Sequence, residues 1–421
     1  MRIKGSLAMV SAILSGCLLG SCVDDTLYLA EGGMTGTGIS AGRITGFGSI
    51  YVNGVRYNVD QAAFYRGGTV ASGQSDFHVG EFVTVTTSSA SSSDSTTSVA
   101  AQVSFDSLIT GEVTAISADG QSLEVMGQTV TTDELTMLHG MTQLTDLVLG
   151  NVVEVSGVRN AEGVITASSI KLAQATYPND GSLLKLEGSV QDLLAEQQSF
   201  RLGNLTVDYS TAQLEGFLSR SLADGVYVEV ETQQALQGLV LIASKVKLKS
   251  GKLDFPQNAR IELEGAVTTI EANTDTSSRF TLNNQVIVTD ANTQFVGMSA
   301  GDIVLDALLE AEGYINSLGE LQASRVAARR PAPNDNHDQR LAGQITAMDY
   351  AAKTLVVQGS TLVVDNASML LDGRDDQRQI VQVTRFEALS VGQYVEVKAI
   401  LQNDGTLRVL RLDVGGNPRK R

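Results

Sequence analysis

The chain has 421 residues, too many for a single hydrophobic core, and it carries 41 Gly but no Trp. Its 47 acidic side chains outnumber 30 basic ones, and the net charge of −17 argues against nucleic acid and anionic membrane surfaces as partners. A hydrophobic fraction of 43% excludes a disordered chain, and 5% aromatics among frequent Val, Thr and Ser point to many small β units.

The first element is a targeting segment, residues 1–22. Arg2 and Lys4 form a positive start, residues 7–19 are apolar, and small residues then precede a cysteine. Leu14-Ser15-Gly16-Cys17 and Leu19-Gly20-Ser21-Cys22 both read as lipidation boxes; Cys22 is favoured because the polar Asp24-Asp25 follows it. Cys17 and Cys22 are the two cysteines of the chain, so the mature protein has no internal disulfide. The expectation is an exported bacterial lipoprotein, anchored by lipid in the cell envelope at the outer membrane. Removing Arg2 and Lys4 leaves 28 basic against 47 acidic side chains, or −19. Residues 23–40, rich in Gly and Thr, read as a tether.

Five copies of one unit follow, at 41–105, 106–173, 183–249, 260–328 and 340–414, with a tail at 415–421. Residues 43–57 open the first copy, and Asn53-Gly54 between alternating β-formers is a hairpin signal. Each copy begins with an apolar residue two positions before an anchor glycine: Gly46, Gly111, Gly188, Gly265 and Gly343, spaced 65, 77, 77 and 78 residues apart. Periods this long make each copy a small domain. Each then reaches an aspartate with a small residue three positions on: Asp60, Asp133, Asp208, Asp290 and Asp365. These read as turn carboxylates that accept backbone N–H groups, since none has the other ligands of a calcium loop.

The second copy predicts five strands at about 108–116, 121–126, 128–132, 151–156 and 164–172, with helix-like spacing over 134–149. In the first copy a Ser/Thr-rich run, 86–98, reads as a long hairpin loop. Three strands, a short helix and two strands give the fold class: all-β, a tandem array of five OB-like five-stranded barrels with short helices. Pro178, Pro256, Pro331 and Pro333 fall between copies, where closed β units tolerate them. No linker separates the first two copies, so these should pack as a rigid pair.

Gly36-Thr37-Gly38-Ile39 and the run from Gly42 to Val55 resemble the opening of bacterial exported proteins built from repeats of domain of unknown function 5666. Gly127-Gln128 and Glu154-Val155-Ser156-Gly157 resemble the standard repeat of that family. The resemblance spans 36–414, strongest in copies one and two. The fourth copy departs from it, because residues 305–309 are helix-prone where the others have Val-Glu-Val, and a distorted barrel is expected there. The resemblance implies export and β repeats and no activity.

No catalytic, cofactor or metal set stands out. His78, His139 and His337 sit in different copies without cysteines beside them. Glu154, Glu229 and Glu396 share one strand position, which alternation places on the solvent face. The candidate ligand face is in copy one, where Tyr51, Tyr57, Phe47, Phe64, Tyr65 and Phe77 accompany Arg43, Arg56 and Arg66; Tyr51, Tyr57, Arg43 and Arg56 are the candidate binding residues. The functional expectation is a non-catalytic envelope scaffold or adaptor that binds another envelope protein, or else a module that binds an extracellular glycan through that face. The expected partners are therefore the membrane, an envelope protein or a glycan, with nucleic acid excluded.

Overall fold

The computed structural model describes residues 38–87, 98–133, 135–217, 221–249, 255, 257–274, 277–296, 298–330, 338–365, 368–372, 382–401 and 405–415. In the first copy, Ile39–Gly46 pairs antiparallel with Ile50–Val52, which pairs with Val55–Asn58. That third strand runs parallel to Ser98–Phe105, and Phe82–Thr87 closes the circuit between Ser98–Phe105 and Ile39–Gly46. Closure removes the sheet edges and surrounds a core that includes Ile44, Val52, Tyr57, Val85 and Val103. The same circuit recurs in the second, fourth and fifth copies. The third copy follows it with its first strand broken into Leu184–Ser189 and Gln191–Leu194 and its fifth into Val240–Ile242 and Lys245–Leu248. The protein is thus an all-β array of five OB-like barrels, as the repeats predict.

The second barrel shows how local sequence sets its strands. Ile109–Ile116, Ser122–Val125, Gln128–Thr131, Val152–Arg159 and Ile165–Gln174 lie close to the predicted spans. The helix expected over 134–149 is replaced by a short strand, Met137–His139, and a 3-10 turn, Leu144–Asp146. Polar side chains capture the backbone groups a helix would need. Thr136 Oγ1 accepts the Asp133 N–H (2.9 Å) and donates to the Ala167 carbonyl (2.6 Å), which ties the turn to the fifth strand. The Asp146 carboxylate accepts the N–H groups of Thr142 and Gln143 and the Thr142 hydroxyl. Those bonds, Thr142's first, hold its pKa down to about 2. The fourth barrel is not distorted: residues 304 and 305 form an exposed loop, and Leu308–Ile315 is an ordinary fourth strand. No α-helix occurs among the described residues.

The anchor glycines mark a packing device, and pairing corrects one of them. Gly111, Gly188, Gly265 and Gly343 lie opposite Val153, Val228, Leu309 and Val395 of the fourth strands. In the first barrel the residue opposite Val83 is Gly42, not Gly46. A methyl group on Gly42 would lie 1.9 Å from Asn53 Oδ1, and one on Gly265 would lie 2.9 Å from Asn283 Cγ. Over Gly42, Gly265 and Gly343 the residue folded across the glycine is the first of the turn between strands two and three. Its side-chain amide donates to the carbonyl just before the glycine: Asn53 to Ala41 (3.2 Å), Asn283 to Glu264 (2.6 Å) and Gln358 to Ala342 (2.8 Å). These three turn residues have φ of 52°, 44° and 52°, the left-handed region a tight hairpin needs.

The second, fourth and fifth barrels pack on the first, and the third packs on the second. Strand Ile39–Gly46 pairs in parallel with Arg260–Asn273 of the fourth barrel at Ile39↔Ile261, Ser40↔Glu262 and Ala41↔Leu263. Leu135 and Met137 of the second barrel, and Met369, Leu371, Ile400 and Leu410 of the fifth, join the first barrel's core. The second and third barrels share one core, and their first strands pair at Thr110↔Lys185 and Ile109↔Leu186. Where the first, second, fourth and fifth barrels meet, Arg43, Asn53, Glu264 and Arg408 help to line a cavity of about 20 Å³, room for about one water molecule.

Candidate functional site

The four sequence-derived binding residues divide between core and surface. Tyr57 is fully buried in the first barrel's core, where burial, with Glu262 next, pushes its hydroxyl pKa up. Tyr51 is half-buried, and Phe64 packs on the buried Phe77 ring at 5.5 Å. Arg43 is buried in an ion pair with Glu264 (3.0 Å), so it joins two barrels. Arg56 is exposed, with Nε donating to Ser49 Oγ (3.1 Å). Tyr57 and Arg43 therefore serve packing: alternation along Val55–Asn58 places Tyr57 inside, whereas the burial of Arg43 could not be read from alternation because neighbouring barrels cover the outer face of its strand. Cys17, Cys22, the targeting segment, residues 23–37 of the tether, residues 88–97 of the Ser/Thr run, and His337 lie outside the described residues.

Polar side chains that stood apart in the sequence meet at the seam of the first two barrels. The His78 and His139 rings lie 4.8 Å apart, tilted by 47°, and His139 Nε2 donates to the Val79 carbonyl (2.9 Å). Glu81 accepts from the His78 N–H (2.9 Å) and from Arg66 Nη2 (2.8 Å), while Arg66 also pairs with Glu154 (2.5 Å). Burial works against the Glu81 carboxylate, yet His78 and Arg66 hold its pKa below the usual range. Burial lowers the pKa of His139. Glu154 is thus half-buried in a clamp and not on a solvent face; Glu229 is buried too, and Glu396 alone of the three is exposed.

A second polar group lies between the second and third barrels. Lys249 Nζ is 2.9 Å from both Glu187 and Glu229 and 3.3 Å from Asp106, and Lys185 pairs with Asp106 and Glu229. These three carboxylates converge closely enough to suggest a cation site, but the ammonium groups of Lys185 and Lys249 already stand among them. Lys185 and Lys249 hold Glu229 ionised against the cost of its burial. The repeated aspartates act as turn residues: Asp290 Oδ1 accepts the Asn292 N–H (2.7 Å) and Asp208 Oδ1 the Ser210 N–H (2.9 Å).

A broad open basin of about 1350 Å³ is walled by the first four barrels. Hairpin tips between strands two and three enter it at Gln128, Asn204, Asn283 and Asn284. The tips of the second and third barrels meet head-on, with the Asn204 N–H donating to the Gly127 carbonyl (3.1 Å) and Gln128 Nε2 to the Leu202 carbonyl (2.6 Å). Arg159 braces the floor by donating to the Gly163 and Glu187 carbonyls, both at 2.6 Å. Thr268, Thr269 and Thr281 supply hydroxyls from the fourth barrel. Sequence reading missed this site. Its signal was present in the turn that each copy shares with Asn53-Gly54, but only packing shows that three of those turns face one space.

Fold and packing define a tandem OB-barrel protein. The chain belongs to the family described as domain of unknown function 5666 (DUF5666), which matches residues 110–171, 187–247, 264–327 and 342–411. Those four segments fall in barrels two to five; the first barrel repeats the strand circuit outside the matched residues. No curated protein matches the chain. Among solved structures, one described as "drosophila Unr CSD456" is 12% identical, with 56% of this chain and 98% of that chain covered and a TM-score of 0.14. Another, a multidomain protein with nucleic acid binding domains from Streptococcus pneumoniae, is 12% identical, with 58% and 75% covered and a TM-score of 0.16. These neighbours correct the partner expectations: net charge does not strike nucleic acid from the list, and neither lipid anchor, envelope protein nor glycan finds support in the described residues. At such TM-scores the likenesses assign no ligand to this chain.

Proposed function

We propose that the protein is a non-catalytic scaffold that holds an extended segment of a partner protein in the four-barrel basin. The observation that carries this reading is the basin itself. Its rim is rich in side-chain amides and hydroxyls, which match the N–H and C=O groups of an extended main chain without requiring charge. Of the side chains best suited to acid–base work, Glu81, His78, His139, Lys185 and Glu229 lie outside the basin's lining, while Lys249, which lines it beside Asp106 and Glu187, is held in ion pairs with both and with Glu229. Export of the chain belongs to the same proposal and rests on residues 1–22 alone.

A photoreactive residue at Asn284, compared with one at the exposed Tyr350 of the fifth barrel, tests this in the producing cells. The expected result is one protein cross-linked reproducibly from position 284 and not from 350. Recovery of nucleic acid from position 284, or the same products from both positions, would contradict it.

A further inference from the structure

Each barrel carries one short strand beyond its closed circuit, laid parallel to the fifth strand: Ala63–Arg66, Met137–His139, Gln213–Glu215, Gln294–Val296 and Met369–Asp372. Such a strand has an outer edge that needs a partner or solvent. The first and fifth barrels supply their own. Thr69–Val70 pairs antiparallel with Ala63–Arg66, and the Ala71 N–H donates to the Phe64 carbonyl (2.9 Å). Gln382–Val383 pairs antiparallel with Met369–Asp372, and the Thr384 N–H donates to the Leu370 carbonyl (2.9 Å).

Leu214 holds the equivalent position in the third barrel. The Gln213 N–H donates to the Ser244 carbonyl (3.0 Å), so residue 213 faces the fifth strand. Alternation then turns the N–H and C=O of Leu214 outward. Gln213, Leu214 and Glu215 are all exposed, Leu214 by 46%. The corresponding strand of the second barrel has Met137 buried against the first barrel, and Phe295 and Val296 of the fourth barrel are half-buried. Among the described residues, the third barrel therefore presents the most accessible of these edges.

We propose that Gln213–Glu215 accepts an extended, uncharged, valine-centred segment of a partner protein as an added antiparallel strand. The chemistry of the occupant is read from the two strands that fill the same slot. Thr69-Val70-Ala71 and Gln382-Val383-Thr384 are both uncharged, place valine in the middle, and end in a small residue whose N–H reaches the central carbonyl. Lys245 already sits between Glu215 and Glu231, at 3.9 and 3.1 Å, so the edge gains nothing from a charged strand. Main-chain bonds give such an addition its affinity, and alternate side chains give it selectivity. This site is separate from the basin and does not depend on it.

The test uses the full chain and, as probe, a synthetic peptide of residues 67–73 at millimolar concentration. A second peptide with the Ala71 nitrogen methylated lacks the key donor. Hydrogen exchange of the Leu214 amide should slow about tenfold with the first peptide and stay unchanged with the second, because a bonded amide exchanges only on local opening. No slowing with the first peptide, or equal slowing with both, would overturn the proposal. Slowing that grows with protein concentration in the absence of peptide would also overturn it, by assigning the edge to a second copy of this chain.

Discussion

At Gly265 the absence of a side chain is a packing requirement. A methyl group there would meet Asn283 Cγ at 2.9 Å, while at Gly343 the nearest atom, Gln358 Cγ, stands at 3.4 Å. Gly265→Ala should therefore destabilise the fourth barrel by about 1–3 kcal/mol, the usual cost of overpacking, with Gly343→Ala close to neutral in the fifth. Hydrogen exchange resolved by barrel is the appropriate measurement, since five domains do not unfold in one transition. Equal costs at the two glycines would refute the lock between turn amide and first strand. Lys249 makes a second residue-scale case. Lys249→Met leaves Glu187 and Glu229 with less compensation and should cost about 3 kcal/mol in the third barrel, much of which Lys249→Arg restores. The sequence displayed the glycines clearly in copies two to five. In copy one it offered Gly42, Gly46 and Gly48 together, and only the pairing of Gly42 with Val83 decides among them.

Between elements, the seam of the first two barrels should respond to acid. Burial lowers the folded pKa of His139 from its ordinary 6.5, so its contribution is present above pH 6.5 and is lost as pH falls through the folded value. Glu81 is likewise lowered from 4.5, against its burial, by His78 and Arg66; its contribution is present above pH 4.5 and lost further into acid. Both signs agree. The Phe82 N–H, which donates across the seam to Ser156 Oγ (2.8 Å), should lose exchange protection from pH 7 downward, and a profile flat to pH 4 would contradict the clamp. Period-two patterning located the strands well, because each closed barrel buries one face of every strand. It misjudged residues 134–149, where leucine spacing suggested a helix. Thr136, Gly140 and Asp146 decide otherwise, by binding the fifth strand, adopting a φ of 79° and capturing N–H groups.

Across the whole molecule, the decisive contacts join residues far apart in the chain. Arg43 meets Glu264, and Ser40 Oγ donates to Glu262 (3.1 Å), in the parallel seam between barrels one and four. Nothing in the local pattern of either copy announces such pairs, and for that reason the barrels were legible from sequence while their arrangement and the basin were not. The basin exists only if the barrels hold together as one body. The most direct measurement is small-angle scattering on residues 38–421 in dilute solution. A single packed body of that length has a radius of gyration of about 21 Å. The account predicts a value near this and a shift upward for the double variant Arg43→Ala, Ser40→Asp, which breaks the seam between barrels one and four. A parent value far above it, with the profile of separate beads on a string, would contradict the shared basin and the function built on it.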